Sequence, residues 1–232
     1  MNTRDFFTHE HLRLEAYRLL ADGYYLPEQR LLDGLLKLEV CLEQICSEAG
    51  KYAKKMQVGI GNIDGPEYLK VDYARLFVGP YNLMAPPYGS VYLENERLLM
   101  GNSTADVQKR YEEAGLDVAA GFKDAPDHIA AELEFMHFLI FKEMEAINQG
   151  DVKNIVNYFL NQQSFLEDHL GAWMSEFAGN VADNAKTPFY QNLARATEAF
   201  ITDDYHIISS VLASLQSNSE KPIEIESFSG QC

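Results

Sequence analysis

Apolar residues recur along most of this chain at spacings of three and four, the period of one face of an α-helix. Phe6, Leu14, Tyr17, Leu20 and Ala21 predict a first helix that ends near Gly23. Leu31, Leu35, Leu38, Leu42 and Ile45 predict a second, with one broad apolar stripe. The glycines and proline of Gln57–Glu67 predict a loop. Tyr68, Val71, Ala74 and Phe77 form a short helical face, and further helices are expected over Val91–Leu99 and Asp106–Ala114. The strongest pattern follows Pro126, with Asp127 expected to cap a helix that runs to Gln149 and stops at Gly150. From Leu133 to Phe141 it is apolar on almost every side, as a central buried helix would be. Asp151 opens another helix, Trp173 and Phe177 mark a short one, and Pro188 opens the last, through Leu212. Alternating strand patterns are nearly absent. The chain is therefore expected to be all-α, a single helical-bundle-like fold of about nine to eleven helices.

One domain over residues 1–216 is expected, with an N-terminal part over 1–114, a C-terminal part over 126–216 and a hinge near 115–125. The segment 217–232 reads as a flexible polar tail, with only Ile223, Ile225 and Phe228 as anchors.

The helical pattern breaks most sharply at FVGPYNLMAPPYGSVYLE, Phe77 to Glu94, which holds three prolines, three tyrosines and two glycines. Prolines restrict the unfolded chain, so such a loop loses less entropy on ordering. It is either a packed crossover or one wall of a peptide-binding surface.

Charge narrows the partners. The net charge of -16 and the lack of a basic stripe exclude a nucleic-acid binder and disfavour anionic membranes. A basic peptide is a suitable partner, because opposite charge speeds encounter. The start of the chain is too charged for a signal peptide, and no apolar run is long enough to span a bilayer. Cys41, Cys46 and Cys232 form no CxxC pair, so neither a disulfide framework nor a zinc site is expected, and a cytoplasmic location fits.

Candidate chemistry centres on the start of the central helix. His128 and Glu132 share a face, which Phe135 and Leu139 continue. This is either a polar anchor beside an apolar groove or a structural cap with a His128–Glu132 pair. There is no G-x-S-x-G and no H-E-x-x-H. His137, His169 and His206 are isolated, and the glycines of Gly59–Gly65 lack the setting of a phosphate loop. Trp173 reads as a core anchor. No catalytic residue, metal or cofactor is expected.

Three blocks carry a resemblance: DYARLFVGPYNLMAPPYGSVYLE (Asp72–Glu94), APDHIAAELEFMHFL (Ala125–Leu139) and the region Phe165–Ala194. The chain resembles the TorD/DmsD family of redox-enzyme maturation proteins, cytoplasmic chaperones of molybdenum-containing oxidoreductases. The resemblance implies an all-helical, non-catalytic protein. Its partner would be an immature molybdoenzyme catalytic subunit or its twin-arginine leader, held while molybdopterin cofactor is inserted and export is delayed. It implies no nucleic acid and no stable membrane insertion, and it admits a homodimer, including helix-swapped forms. Carried over by position, the client-binding residues are Asp127, His128 and Glu132 of the second block, with Pro86, Pro87, Tyr88, Ser90 and Tyr92 of the loop. Phe135 joins them as the start of the apolar groove. Gly89 stands where many relatives carry glutamate. The rival readings are a helical scaffold or oligomerisation protein and a metal-independent hydrolase using His128.

Overall fold

Where the apolar stripes predict helices, helices form. The structure, a computed structural model, describes residues 3–60, 66–79, 83–94, 99–116 and 124–219. Among these, α1 (Thr3–Gly23), α2 (Gln29–Ile45), α3 (Ser47–Ile60) and α4 (Glu67–Tyr73) lead into a π-helical turn (Ala74–Val78). Then come α5 (Ser90–Leu93), α6 (Asn102–Glu113), α7 (Ile129–Gln149), α8 (Val152–Asp168), α9 (Leu170–Asn184) and α10 (Pro188–Ser219). The described residues form an all-α fold, and none of their helices is long and apolar enough to cross a membrane.

The long helices pack in a ring: α1 on α2, α2 on α3, α3 on α10, α10 on α8, α8 on α7, and α7 back on α1. α9 fills the gap beside α10 and α8. One apolar cluster runs through the ring, from Tyr17 and Leu20 through Leu133 and Met136 to Trp173 and Phe177. α3 had no stripe of large residues to announce it, because its buried face is Ala49, Ala53 and Met56. These small side chains bring it close to α2. A Cβ on Gly50 would stand 2.6 Å from the Glu43 backbone.

A charged knot sits inside the ring. Arg13 on α1 is 1% exposed. Its Nε donates to Asp204 Oδ1 of α10 at 2.5 Å, and its Nη2 to Gln162 Oε1 of α8 at 2.8 Å. It also pairs with Glu10, and it lies 3.7 Å from Glu143 of α7. Gln162 Nε2 in turn donates to Glu143 Oε2 at 2.7 Å. Four helices therefore share one guanidinium. Three buried carboxyl groups face one cation, so they cannot all ionise cheaply. Burial and the neighbouring Glu10 push the Glu143 carboxyl up to about 8.

Several boundaries differ from the sequence reading. α3 runs into the segment read as loop, as far as Ile60. The helix expected over Val91–Leu99 stops at Leu93, because Glu94 turns extended and its Oε1 accepts from the Ser103 N–H at 2.7 Å, near the start of α6. α10 continues past Leu212 to Ser219, so Ser217–Ser219 are helical. The rest of the expected tail (220–232) and most of the expected hinge (117–123) lie outside the described residues. Asp72, in the first block, has a structural task. Its Oδ2 accepts from the backbone N–H groups of Lys186 and Thr187 at 2.9 and 2.8 Å and from Thr187 Oγ1 at 2.8 Å, which fixes the turn before α10 and holds Thr187, whose Oγ1 accepts from the Tyr190 N–H at 3.4 Å.

Two outcomes follow. Asp72→Ala should lower stability by about 2–4 kcal/mol in urea titration, because buried donors lose a charged acceptor. The raised Glu143 group means that the folded state holds a proton that the unfolded chain releases near its ordinary pKa of 4.5. Its contribution is therefore greatest below about pH 4.5 and is lost as pH rises toward about 8. Glu143→Gln should flatten that slope in denaturation curves at pH 5, 7 and 8.5.

Candidate functional site

The proline loop is fastened to the first residues of α7. Tyr88 and His128 form an isolated antiparallel bridge. The Gly89 N–H donates to the Asp127 carbonyl at 2.9 Å, and the Ile129 N–H donates to the Pro87 carbonyl at 2.9 Å. Prolines suit this edge, since Pro86 and Pro87 have no N–H to leave unpaired. The second and first sequence blocks thus meet in space.

Side chains reinforce the bridge. The expected cap of α7 was Asp127, but His128 occupies the N-cap, and its Nδ1 accepts from the Ala130 N–H at 3.2 Å. The Asp127 carboxylate is engaged elsewhere: Oδ2 accepts from the Ser90 N–H at 2.7 Å. Ser90 Oγ accepts from the Met100 N–H at 3.3 Å, tying in the next segment. Tyr88 is half-buried, packs edge-on to His128 at 5.4 Å, and donates its hydroxyl to Asp124 at 2.8 Å. Tyr25, just past the end of α1, stacks on the same imidazole at 6.4 Å. Glu132 takes a hydrogen bond from Trp173 Nε1 of α9 at 3.0 Å, and Tyr92 stacks on the Trp173 ring at 5.4 Å. Trp173 is 1% exposed, as a core anchor should be, yet its indole N–H also serves the carboxyl group.

The site residues lie deep. Asp127 is 1% exposed, His128 3%, Glu132 0% and Ser90 0%. Pro87 is buried, while Pro86, Tyr88 and Tyr92 are half-buried. Asp127 Oδ1 and Glu132 Oε1 are both buried without a hydrogen-bond partner. Gly89 lies directly above the second: a Cβ there would stand 3.0 Å from Trp173 Nε1 and 3.3 Å from Glu132 Oε1. A larger residue at this position would crowd both groups. Burial, with Asp127 adding to it, holds the Glu132 carboxyl well above the usual carboxylate range. Two buried carboxyl groups thus stand side by side, each with one oxygen that has no hydrogen-bond partner.

Phe135 sits apart from this group, one turn further along α7. It lines a cleft of about 400 Å³ between α6, α7 and α8. Phe135, Phe138 and Leu139 form the apolar floor, and Lys109, Glu113, Asn154, Asn157 and Asn161 stand along its walls. The Phe135 and Phe138 rings lie nearly parallel at 6.4 Å. The eight polar and loop positions thus come together at the head of α7, and the ninth, Phe135, lines a separate cleft. Asp124 and the asparagines of α8 escaped the sequence reading. The spacing of Asn154, Asn157 and Asn161 at three and four was the available signal.

Comparison with known proteins follows the same blocks. The family described as "Nitrate reductase delta subunit" matches residues 43–179. That is more than half of the chain, which belongs to this family. A protein named "Chaperone protein TorD" from Psychrobacter sp. (strain PRwf-1) is 28% identical over 137 residues, covering 59% of this chain and 60% of that one. "Tat proofreading chaperone DmsD" from Salmonella typhimurium is 33% identical over 136 residues, covering 57% and 60%. The TorD of Vibrio parahaemolyticus is 27% identical over 132 residues, covering 57% and 60%. The matches thus span about 60% of the length of these relatives.

Acid should loosen this site through His128. Burial lowers its imidazole to about 4, opposed by Asp124 and Asp127. The unfolded chain takes up a proton near the ordinary imidazole value of 6.5 that the folded state refuses until about 4. Stability is therefore lost as pH falls through that window, by up to a few kcal/mol. His128→Asn, a good N-cap that does not titrate, should flatten the loss in thermal melts between pH 7 and 4.5.

Proposed function

We propose that this member of the nitrate reductase delta subunit family is a chaperone that holds an unfinished redox-enzyme subunit through a segment of the client chain. The single observation that carries the reading is the pair of buried oxygens without a hydrogen-bond partner, Asp127 Oδ1 and Glu132 Oε1, beneath a half-buried aromatic loop. A buried acceptor without a donor is costly. A cationic side chain from a client would supply the donors, and the Phe135–Phe138 floor would take the client's apolar portion. The names of the relatives support the same role.

The finer reading follows from these parts. The client is the leader or another segment of an apo catalytic subunit of a molybdopterin-containing oxidoreductase. Binding in the cytoplasm keeps that subunit open for cofactor insertion and delays its export. Tyr88, Pro86 and Tyr92 are the parts of the loop with free surface for first contact. Access to Asp127, His128 and Glu132 requires the loop to lift, which breaks its two backbone hydrogen bonds and the Ser90–Asp127 contact. Exposed charge pairs at the rim would add about 0–1 kcal/mol each, whereas a desolvated contact to Asp127 would add roughly 1.5–3 kcal/mol. Specificity therefore lies in the buried groups.

The test begins with the partner that co-purifies with the protein from its native cell. A peptide from that partner's leader, titrated calorimetrically, should bind Asp127→Ala about tenfold or more weakly, with helix content unchanged. Asp127→Asn keeps an acceptor for the Ser90 N–H but removes the charge and turns the unpartnered oxygen into an amide donor, so it should be weakened as well. Equal affinity for all three proteins would reject this site. Partner-free protein that only self-associates would favour the scaffold reading.

A further inference from the structure

We propose that a second copy of this chain docks on the outer face of α2 and α3, with the acidic stripe of α2 in each copy lying on the basic stripe of α3 in the other. The basic stripe is set by sequence. Lys51, Lys54, Lys55 and Val58 stand at i, i+3, i+4 and i+7, on one side of α3, and all four are exposed. No acidic residue occurs from Ala49 to Ile63. The part of α10 against which α3 packs is equally free of acids, with none from Asn184 to Thr197. The four α3 residues, with Pro188 and Asn192 of α10, line a depression of about 780 Å³. In a chain of net charge -16, this is a local concentration of positive charge over an aliphatic floor. Its cations are little engaged. Among the described residues, Lys54 and Lys55 enter no ion pair, and Lys51 pairs within its own helix, with Glu48 at 3.0 Å.

The occupant's chemistry is carried by the neighbouring helix. On α2, Asp33, Leu36, Val40 and Glu43 follow one another at steps of three, four and three, and all are exposed. Two aliphatic side chains thus stand between two carboxylates. Leu36 is 65% exposed and Val58 of α3 is 73% exposed, so each stripe offers water a large apolar side chain. Among the described residues Glu43 enters no ion pair. The stripes are also of similar reach, about 15 Å along α2 and about 10 Å along α3 at roughly 1.5 Å per residue. Carboxylates would meet lysines, and Leu36 and Val40 would meet Val58 and Pro188.

A second copy suits this face better than another polyanion. Beyond about 8–10 Å the lysines are screened, and the charge of the whole chain repels a nucleic acid or an anionic membrane. An unrelated acidic protein would cover α3 and leave the apolar stripe of α2 in water, whereas a second copy covers both. α2 and α3 adjoin, since a Cβ on Gly50 would stand 2.6 Å from the Glu43 backbone. One two-fold axis between them therefore forms both pairings at once and closes the assembly as a dimer. No helix leaves its own ring. None of the residues involved belongs to the proline loop or the head of α7, so the proposal stands or falls apart from the client site.

Sedimentation of the full chain over a concentration series tests it. A reversible dimer is expected. Lys54→Glu with Lys55→Glu should weaken it about tenfold or more, because like charges then face one another in both pairings. Asp33→Lys with Glu43→Lys should weaken it similarly. All four are exposed positions, and unchanged circular dichroism checks that each variant is folded. Mixing the two variants should restore a dimer containing one of each, since both pairings are again of opposite charge. A monomer at every concentration, a dimer that both variants leave intact, or a mixture that stays monomeric would overturn the proposal. So would a monomer that binds phosphatidylserine vesicles through these lysines, which would assign the basic stripe to a membrane surface.

Discussion

Two backbone hydrogen bonds, from Gly89 to Asp127 and from Ile129 to Pro87, decide what the rest of this molecule can present. Without them the proline loop is a crossover near the helical ring. With them it becomes a wall fixed to the N-terminus of the central helix. The bridge also explains the burial of Asp127: its carboxylate satisfies the Ser90 N–H, a donor that the turn after Gly89 would otherwise leave unpaired. His128 can then move into the cap position, where it lies between Tyr25 and Tyr88.

The interior is unusually acidic for a helical core, and the two acidic centres are solved differently. Around Arg13, a guanidinium and an amide hold three carboxyl groups, and burial with the neighbouring Glu10 pushes the Glu143 carboxyl up to about 8. Among the described residues no cation stands in the contacts of Glu132, and an indole N–H is its hydrogen-bond donor. The first centre is closed on itself and joins four helices, a stabilising arrangement. The second is left with unfilled acceptors, which suits a place where a donor arrives from outside. The same chemistry thus serves architecture in one half of α7 and, on the function proposed above, recognition in the other.

Large-residue stripes made α1, α2, α7, α8 and α10 legible, because a burial pattern at helical period is a direct consequence of packing. α3 was hidden since alanine and methionine, not leucine, face α2 and α10. Arg13 looked like a surface residue, although it lies on the Tyr17–Leu20–Tyr24 stripe and so points inward. The grouping of the loop and the head of α7 came from motif resemblance, and no local pattern could have supplied a bridge between residues 40 apart. The exchange of roles between Asp127 and His128 has the same origin. Which of two adjacent residues caps a helix depends on a donor that arrives from Ser90, remote in sequence.

The most direct measurement is hydrogen exchange along the full chain, alone and with its co-purified client bound. If the bridged loop and the head of α7 receive the client, exchange should slow at 83–94, 124–135 and the cleft wall of α8. Protection confined to α2 and α3, with the loop exchanging at its unbound rate, would contradict the account.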